Sequence, residues 1–134
     1  MKKPPASVST GETVRVVLLA SDPVAGDLRR ILTHSRWAVI ETATIEEACE
    51  CANNAVWICE TALPDGCWRD VVLRAAPSPV IVAARQIESD LWMEMLNGGV
   101  YSVFAAPFDE REVVGAVCTA WRYRHERRIK AVVG

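Results

Sequence analysis

Five short apolar runs, rich in β-branched residues, recur along this chain, and each is followed by a stretch with helical periodicity. They are VRVVLLA at 14–20, WAVIETA at 37–43, AVWIC at 55–59, VIVAA at 80–84 and VYSVFA at 100–105. A strand that is apolar at nearly every position has no face for water. It belongs in a parallel sheet with helices on both sides, not in an antiparallel sheet with one wet face. Units of roughly twenty residues leave room for a helical crossover between successive parallel strands. The expected fold class is therefore α/β, a doubly wound five-stranded parallel sheet with right-handed crossovers and order 2-1-3-4-5.

The intervening segments carry their own start and stop signals. Ser21-Asp22-Pro23 can cap a helix and supply its first-turn proline. Over 23–34, Val24, Leu28, Ile31 and Leu32 share one face, with Asp27, Arg29 and Arg30 mostly on the other. Thr44 and Glu47 form a capping-box pattern ahead of a helix carrying Ala48, Cys51 and Ala52, which Asn53-Asn54 closes. The turn-rich ETALPDG at 60–66 leads to a short helix over 68–76, stopped by Pro77 and Pro79. The segment 86–96 turns Ile87, Leu91, Trp92 and Met95 inward and ends at Gly98-Gly99, as helix C-termini often do. After Pro107, the longest helix spans 109–130, with Val113, Val117 and Trp121 on its buried stripe and Val114 and Cys118 beside them.

A length of 134 residues suits one domain, expected at 14–130 between a flexible leader (1–13) and a short tail (131–134). The leader has two lysines and no apolar core, so it does not read as a signal peptide. No apolar run approaches the roughly 20 residues of a membrane span. The formal charge of −2 argues against general affinity for nucleic acid or membrane. The basic stretch 122–130 reads as the solvated end of a helix, where cations suit the dipole. The five cysteines are odd in number and include no C-x-x-C, so free thiols in a reducing, cytoplasmic compartment are expected. Cys49 and Cys51 with His34 or His125 have no metal-ligand spacing, so no metal centre is expected there.

In an open α/β sheet the reactive site lies beyond the carboxyl ends of the strands. Here that means Ala20-Ser21-Asp22, residues 60–66, Ala84-Arg85 and Ala106-Pro107. Three stretches at these places, VWICETALPDG (56–66), SPVIVAAR (78–85) and LNGGVYSVFAAPFD (96–109), resemble response-regulator receiver domains of two-component signalling. The resemblance covers about 14–127 and implies the flavodoxin-like (βα)5 receiver fold.

It also implies a dismantled site, that of a pseudo-receiver. The acidic pair that holds Mg2+ in the family corresponds to Ala20 and Ser21, with Asp22 one position on. The phosphate-accepting aspartate corresponds to Glu60, the hydroxyl residue to Ala84, and the lysine to Ala106, which keeps the following Pro107. The aromatic of the fifth strand corresponds to Val103, with Tyr101 and Phe104 close by. The resemblance further implies that the Ala106-Pro107 bond is cis.

Phosphoryl transfer rests on positioning and charge neutralisation. Ala20 offers no ligand, Ser21 only a neutral oxygen, and the only carboxylates near a metal position are Asp22 and Glu60, so no Mg2+ or other cofactor is expected. Asp22 is expected to cap a helix and Asp65 to serve the Pro64-Asp65-Gly66 turn. Two roles remain open for Glu60. It can mimic a phosphorylated aspartate, or it can be inert, facing solvent or pairing with Arg85.

The function expected is that of a receiver-like module acting through protein contacts without phosphorylation. The alternative is a conventional phospho-accepting regulator using Glu60. The resemblance points to the face of the fourth helix, fifth strand and fifth helix for a protein partner or a homodimer. Trp92, Met93, Tyr101 and Tyr123 are the candidate anchors, since aromatic residues and Met are enriched in interface cores. An enzyme on the same architecture would need a phosphate loop after the first strand, which Ala20-Ser21-Asp22-Pro23 does not supply.

Overall fold

The computed structural model describes residues 13–33, 36–51 and 54–133, with side chains as far as residue 124. The leader expected at 1–13 (Thr13 excepted), His34, the helix stop at Asn53 and the side chains of the basic stretch from His125 lie outside the described residues.

Strand β1 (Arg15–Leu19) runs into helix α1 (Val24–Thr33), followed by β2 (Ala38–Thr42) and α2 (Ile45–Cys51). Next come β3 (Val56–Cys59), two short strands β4 (Ala62–Leu63) and β5 (Gly66–Cys67), and α3 (Trp68–Ala75). The chain ends with β6 (Val80–Ala84), α4 (Ser89–Asn97), β7 (Ser102–Ala105) and α5 (Glu110–Val133). The main sheet is parallel in the order β2-β1-β3-β6-β7, which is the expected 2-1-3-4-5 once the small hairpin β4-β5 is set aside.

Apolar runs and burial match where the sheet is covered on both faces. Every residue of β3 and of β6 is buried. The two sides of the sheet build separate cores. Val17, Leu19, Trp57, Cys59 and Val82 pack with Ile45 and Ala48 of α2, Val71 of α3 and Met95 of α4. Val16, Leu18, Ile58, Ile81 and Phe104 pack with Leu28 and Leu32 of α1 and Val113, Val117 and Ala120 of α5. Each such fully buried Leu, Ile or Val contributes roughly 1.5–3 kcal/mol relative to exposure.

Several local expectations are corrected. The run at 37–43 is not buried on both faces: β2 is an edge strand in which only Thr42 is buried. The stretch 60–66 is not just a turn, because Ala62 and Leu63 pair with Cys67 and Gly66 in an antiparallel hairpin. Helix α4 begins at Ser89, after an extended Glu88, so Ile87 packs on the core from outside the helix. Leu91 and Trp92 are half-buried, and Met95 is the residue of α4 that is fully enclosed. Helix α5 continues to Val133, past the expected end at 130 and through most of the expected tail.

At α2, Thr44 Oγ1 accepts from the Glu47 N–H at 3.1 Å as its pattern predicts, but the Glu47 carboxylate accepts from the N–H of Ala43, at 2.9 Å, one residue before the box would place it. Gly98 and Gly99 close α4. Gly99 sits at φ 104°, in the left-handed region that favours glycine. The Ala106-Pro107 bond is cis, as expected, and so are Asp22-Pro23 and Ala76-Pro77.

Candidate functional site

The parallel register brings the ends of β1 and β3 side by side, with Leu19 opposite Cys59. One residue on, the Glu60 N–H donates to the carbonyl of Leu19 at 3.3 Å. The Glu60 side chain then reaches back across the same gap. Its Oε1 accepts from the Ser21 N–H at 2.8 Å and from the Ser21 hydroxyl at 3.0 Å. The Ser21 carbonyl in turn accepts from the Ala25 N–H at 2.9 Å, at the start of α1. Glu60 therefore ties the end of β3 to the loop that launches α1.

Glu60 thus stays partly exposed, and its partner is Ser21 where Arg85 was the expected one. Glutamate has the extra methylene needed to span to Ser21, and a serine at 21 supplies two donors where a carboxylate would repel it. Arg85 is exposed at the end of β6 and forms no ion pair with Glu60 among the described residues. Asp22 is also corrected. Its side chain caps nothing in α1 among the described hydrogen bonds. Instead Oδ1 leans over Gly26, 3.1 Å from where a Cβ would stand.

At the far side of the site, β6 and β7 end together, and the Ala106 N–H donates to the Ala84 carbonyl at 3.0 Å. Ala84 and Ala106 present only methyl groups. A cleft of about 660 Å3 opens beside them, lined by Pro23, Asp27, Arg85, Gln86, Ala106 and Pro107. Ala20 carries no side-chain donor, the Ser21 hydroxyl is turned to Glu60, and no group of three or more His, Cys, Asp or Glu side chains gathers among the described residues.

Asp65 has a role that turn preference does not convey. From the tip of the β4-β5 hairpin its Oδ1 accepts the Ile45 N–H at 2.9 Å and its Oδ2 the Glu46 N–H at 3.2 Å. These are orphan donors of the first turn of α2, capped from 20 residues away in sequence. The hydrogen bond from Ile45 is the main reason its carboxyl is held below the usual carboxylate range. Only the fold puts Asp65 beside Ile45, so no local pattern announces this cap. Arg29 and Glu41 similarly join α1 to β2 in a two-pronged ion pair at 2.7 and 2.8 Å.

The four candidate anchors are not brought together. Tyr101 and Tyr123 pack ring to ring, centroids 5.4 Å apart, and join the entry of β7 to α5. Trp92 is half-buried against the core. Met93 is exposed, and it lines a groove shared with α3 rather than the face shared with β7 and α5. The basic end of α5 is not wholly solvated either: Arg124 is buried, its guanidinium 3.8 Å from the ring centroid of Trp121.

No family model matches the chain, and no curated protein matches it. Solved structures do. The signal receiver domain of an HD domain-containing protein from Pseudomonas fluorescens superposes with a TM-score of 0.75 at 18% identity, over 87% of this chain and 92% of that one. A CheY-like response regulator receiver domain protein from Methanospirillum hungatei gives 0.72 at 14%, over 87% and 99%. The beryllofluoride-activated NtrC4 receiver domain dimer gives 0.67 at 19%, over 82% and 98%. The fold is that of a response-regulator receiver domain. Within the receiver fold, the residues just described occupy the carboxyl ends of β1, β3, β6 and β7, where Ala20, Ser21, Glu60, Ala84 and Ala106 were placed from the sequence. No helix among the described residues is long and apolar enough to cross a membrane.

Proposed function

We propose that this chain is a receiver-like module of two-component, phosphorelay signalling that works without phosphorylation and without Mg2+, through contacts with protein. The observation that carries this reading is the commitment of Glu60 to Ser21, at 2.8 and 3.0 Å, beside alanines at 84 and 106. A carboxylate oxygen engaged by two donors is a poor nucleophile. With a methyl group in place of a hydroxyl and of a cation, the charge that develops in phosphoryl transfer has no support. The module is neither an enzyme nor a nucleic-acid binder in this reading, and its free cysteines suit the cytoplasm.

The Glu60–Ser21 link also offers a role for the dismantled site. It joins β3 to the start of α1 at the place where a metal would otherwise bridge the two, and so holds the loops in one arrangement. A module held this way presents a constant surface. The face of α4, β7 and α5, with the Tyr101–Tyr123 pair, is the contact surface proposed for a partner or a second copy. The NtrC4 neighbour is a dimer, which supports self-association as one form of that contact.

The test is to add acetyl phosphate, or beryllofluoride, with Mg2+ to the labelled protein and follow the amide resonances of residues 60, 84 and 106. Unchanged resonances are expected. Saturable shifts there would instead establish a conventional acceptor at Glu60.

A further inference from the structure

A groove of about 660 Å3 runs between α3 and α4, on the opposite side of α4 from the face just described. Its walls are two ridges at helical spacing: Arg69, Val72 and Leu73 on α3, and Asp90, Met93 and Asn97 on α4. The floor is Trp68, whose ring lies against Gly98 so closely that a Cβ there would come within 2.9 Å of it. Leu73 is 75% exposed and Met93 57%, and they stand on opposite rims. Two large apolar side chains facing each other across an open valley are an unusual use of surface.

The groove is also set in shape. The Arg69 guanidinium sits 4.8 Å over the Trp68 ring and forms an ion pair with Glu94, so the charge of Glu94 is answered from within. Asp90, in the first turn of α4, has no ion pair among the described residues, and α4 carries no basic residue. The groove thus offers apolar walls and one open negative charge.

We propose that this groove docks an amphipathic helix of a protein partner, one presenting leucine- or methionine-type side chains to Leu73 and Met93 and a lysine or arginine to Asp90. A helix lying between two ridges is a recurrent mode of recognition. The inference rests on the same reading, that the module acts by protein contact, but on a different surface from the α4-β7-α5 face.

The probe is a synthetic 18-residue helix with leucines along one face and lysines on the other, titrated into the labelled full chain, beside a counterpart with glutamates for lysines. Saturable amide shifts confined to residues 69–73 and 90–97 are expected, with the glutamate peptide about tenfold weaker. Asp90→Asn should bring the two peptides closer in affinity. A Leu73→Glu, Met93→Glu variant, altered only at exposed positions, should keep its other resonances and lose the shifts. Absence of saturable shifts, shifts on the α4-β7-α5 face instead, or shifts at 69–73 and 90–97 that appear with protein concentration alone would overturn the proposal. Failure here leaves the acetyl phosphate result, and with it the proposed function, standing on its own.

Discussion

The backbone N–H and the hydroxyl of Ser21 converge on one oxygen of Glu60, at 2.8 and 3.0 Å. A single side chain thus ties the end of β3 to the loop that follows β1. Glu60 is one half of this link, and Ser21 is the other.

Glu60→Asp withdraws the carboxylate by one methylene and breaks both hydrogen bonds. Ser21 is exposed, so water replaces the lost acceptor and the cost should be about 1 kcal/mol or less, read from urea denaturation. The variant should still gain no phosphate from acetyl phosphate and Mg2+ by intact mass, because Ala84 and Ala106 remain. A phosphorylated Glu60→Asp protein would show that the acceptor alone had been limiting.

Asp65 links stability to pH. Its folded-state carboxyl is lowered by the N–H groups of Ile45 and Glu46, so it stabilises the fold while ionised. That contribution is complete above the unfolded carboxylate range, near about pH 4, and is lost as pH falls through the lower folded value. Thermal melts at pH 7, 5 and 3 should find Asp65→Asn less stable than the parent at pH 7 and 5, with the gap closing towards pH 3. A gap independent of pH would mean that the charge is not what caps α2. Glu41, lowered chiefly by its hydrogen bond from Arg29, adds acid sensitivity of the same sign.

Two glycines should respond in opposite directions. Gly98→Ala drives a methyl towards Trp68 and towards the Glu94 carbonyl, 3.1 Å from the added carbon, and should cost about 1–3 kcal/mol. Gly115 lies within α5 with nothing inside 4 Å of an added Cβ. Gly115→Ala should stabilise by about 0.5–1 kcal/mol, since alanine loses less backbone freedom in a helix. Urea midpoints of the two variants check both signs.

Thiol reactivity should rank by burial. Cys51 is exposed, whereas Cys59 is enclosed at the end of β3, where burial pushes its thiol up to about 12. At pH 8, Cys51 should label first with a thiol reagent and Cys59 only on unfolding, as peptide mapping of timed samples would show. Early labelling of Cys59 would mean that β3 opens locally.

The five apolar runs were enough to define five strands, their parallel sense and their order, because burial on both faces leaves few other arrangements. They were also enough to name Ala20, Ser21, Glu60, Ala84 and Ala106 as the residues at the strand ends. The same rule failed at 37–43, where an edge strand with an apolar composition is only partly covered. It could not see the β4-β5 hairpin either, whose strands are two residues each and carry no alternating pattern.

What composition and spacing could not supply was the partner of each polar group. Glu60 and Ser21 are 39 residues apart, Asp65 and Ile45 20, and neither pair has any local pattern to mark it. Met93 reads as an anchor beside β7 in the sequence, yet the roll of α4 turns it towards α3. The sequence by itself determined the sheet, since hydrophobic burial is set by residue type, and the bare methyl groups at 84 and 106. Hydrogen bonds and grooves depend on where distant backbones come to lie, and so the Ser21–Glu60 link, the Asp65 cap and the α3-α4 groove were decided only by the tertiary structure.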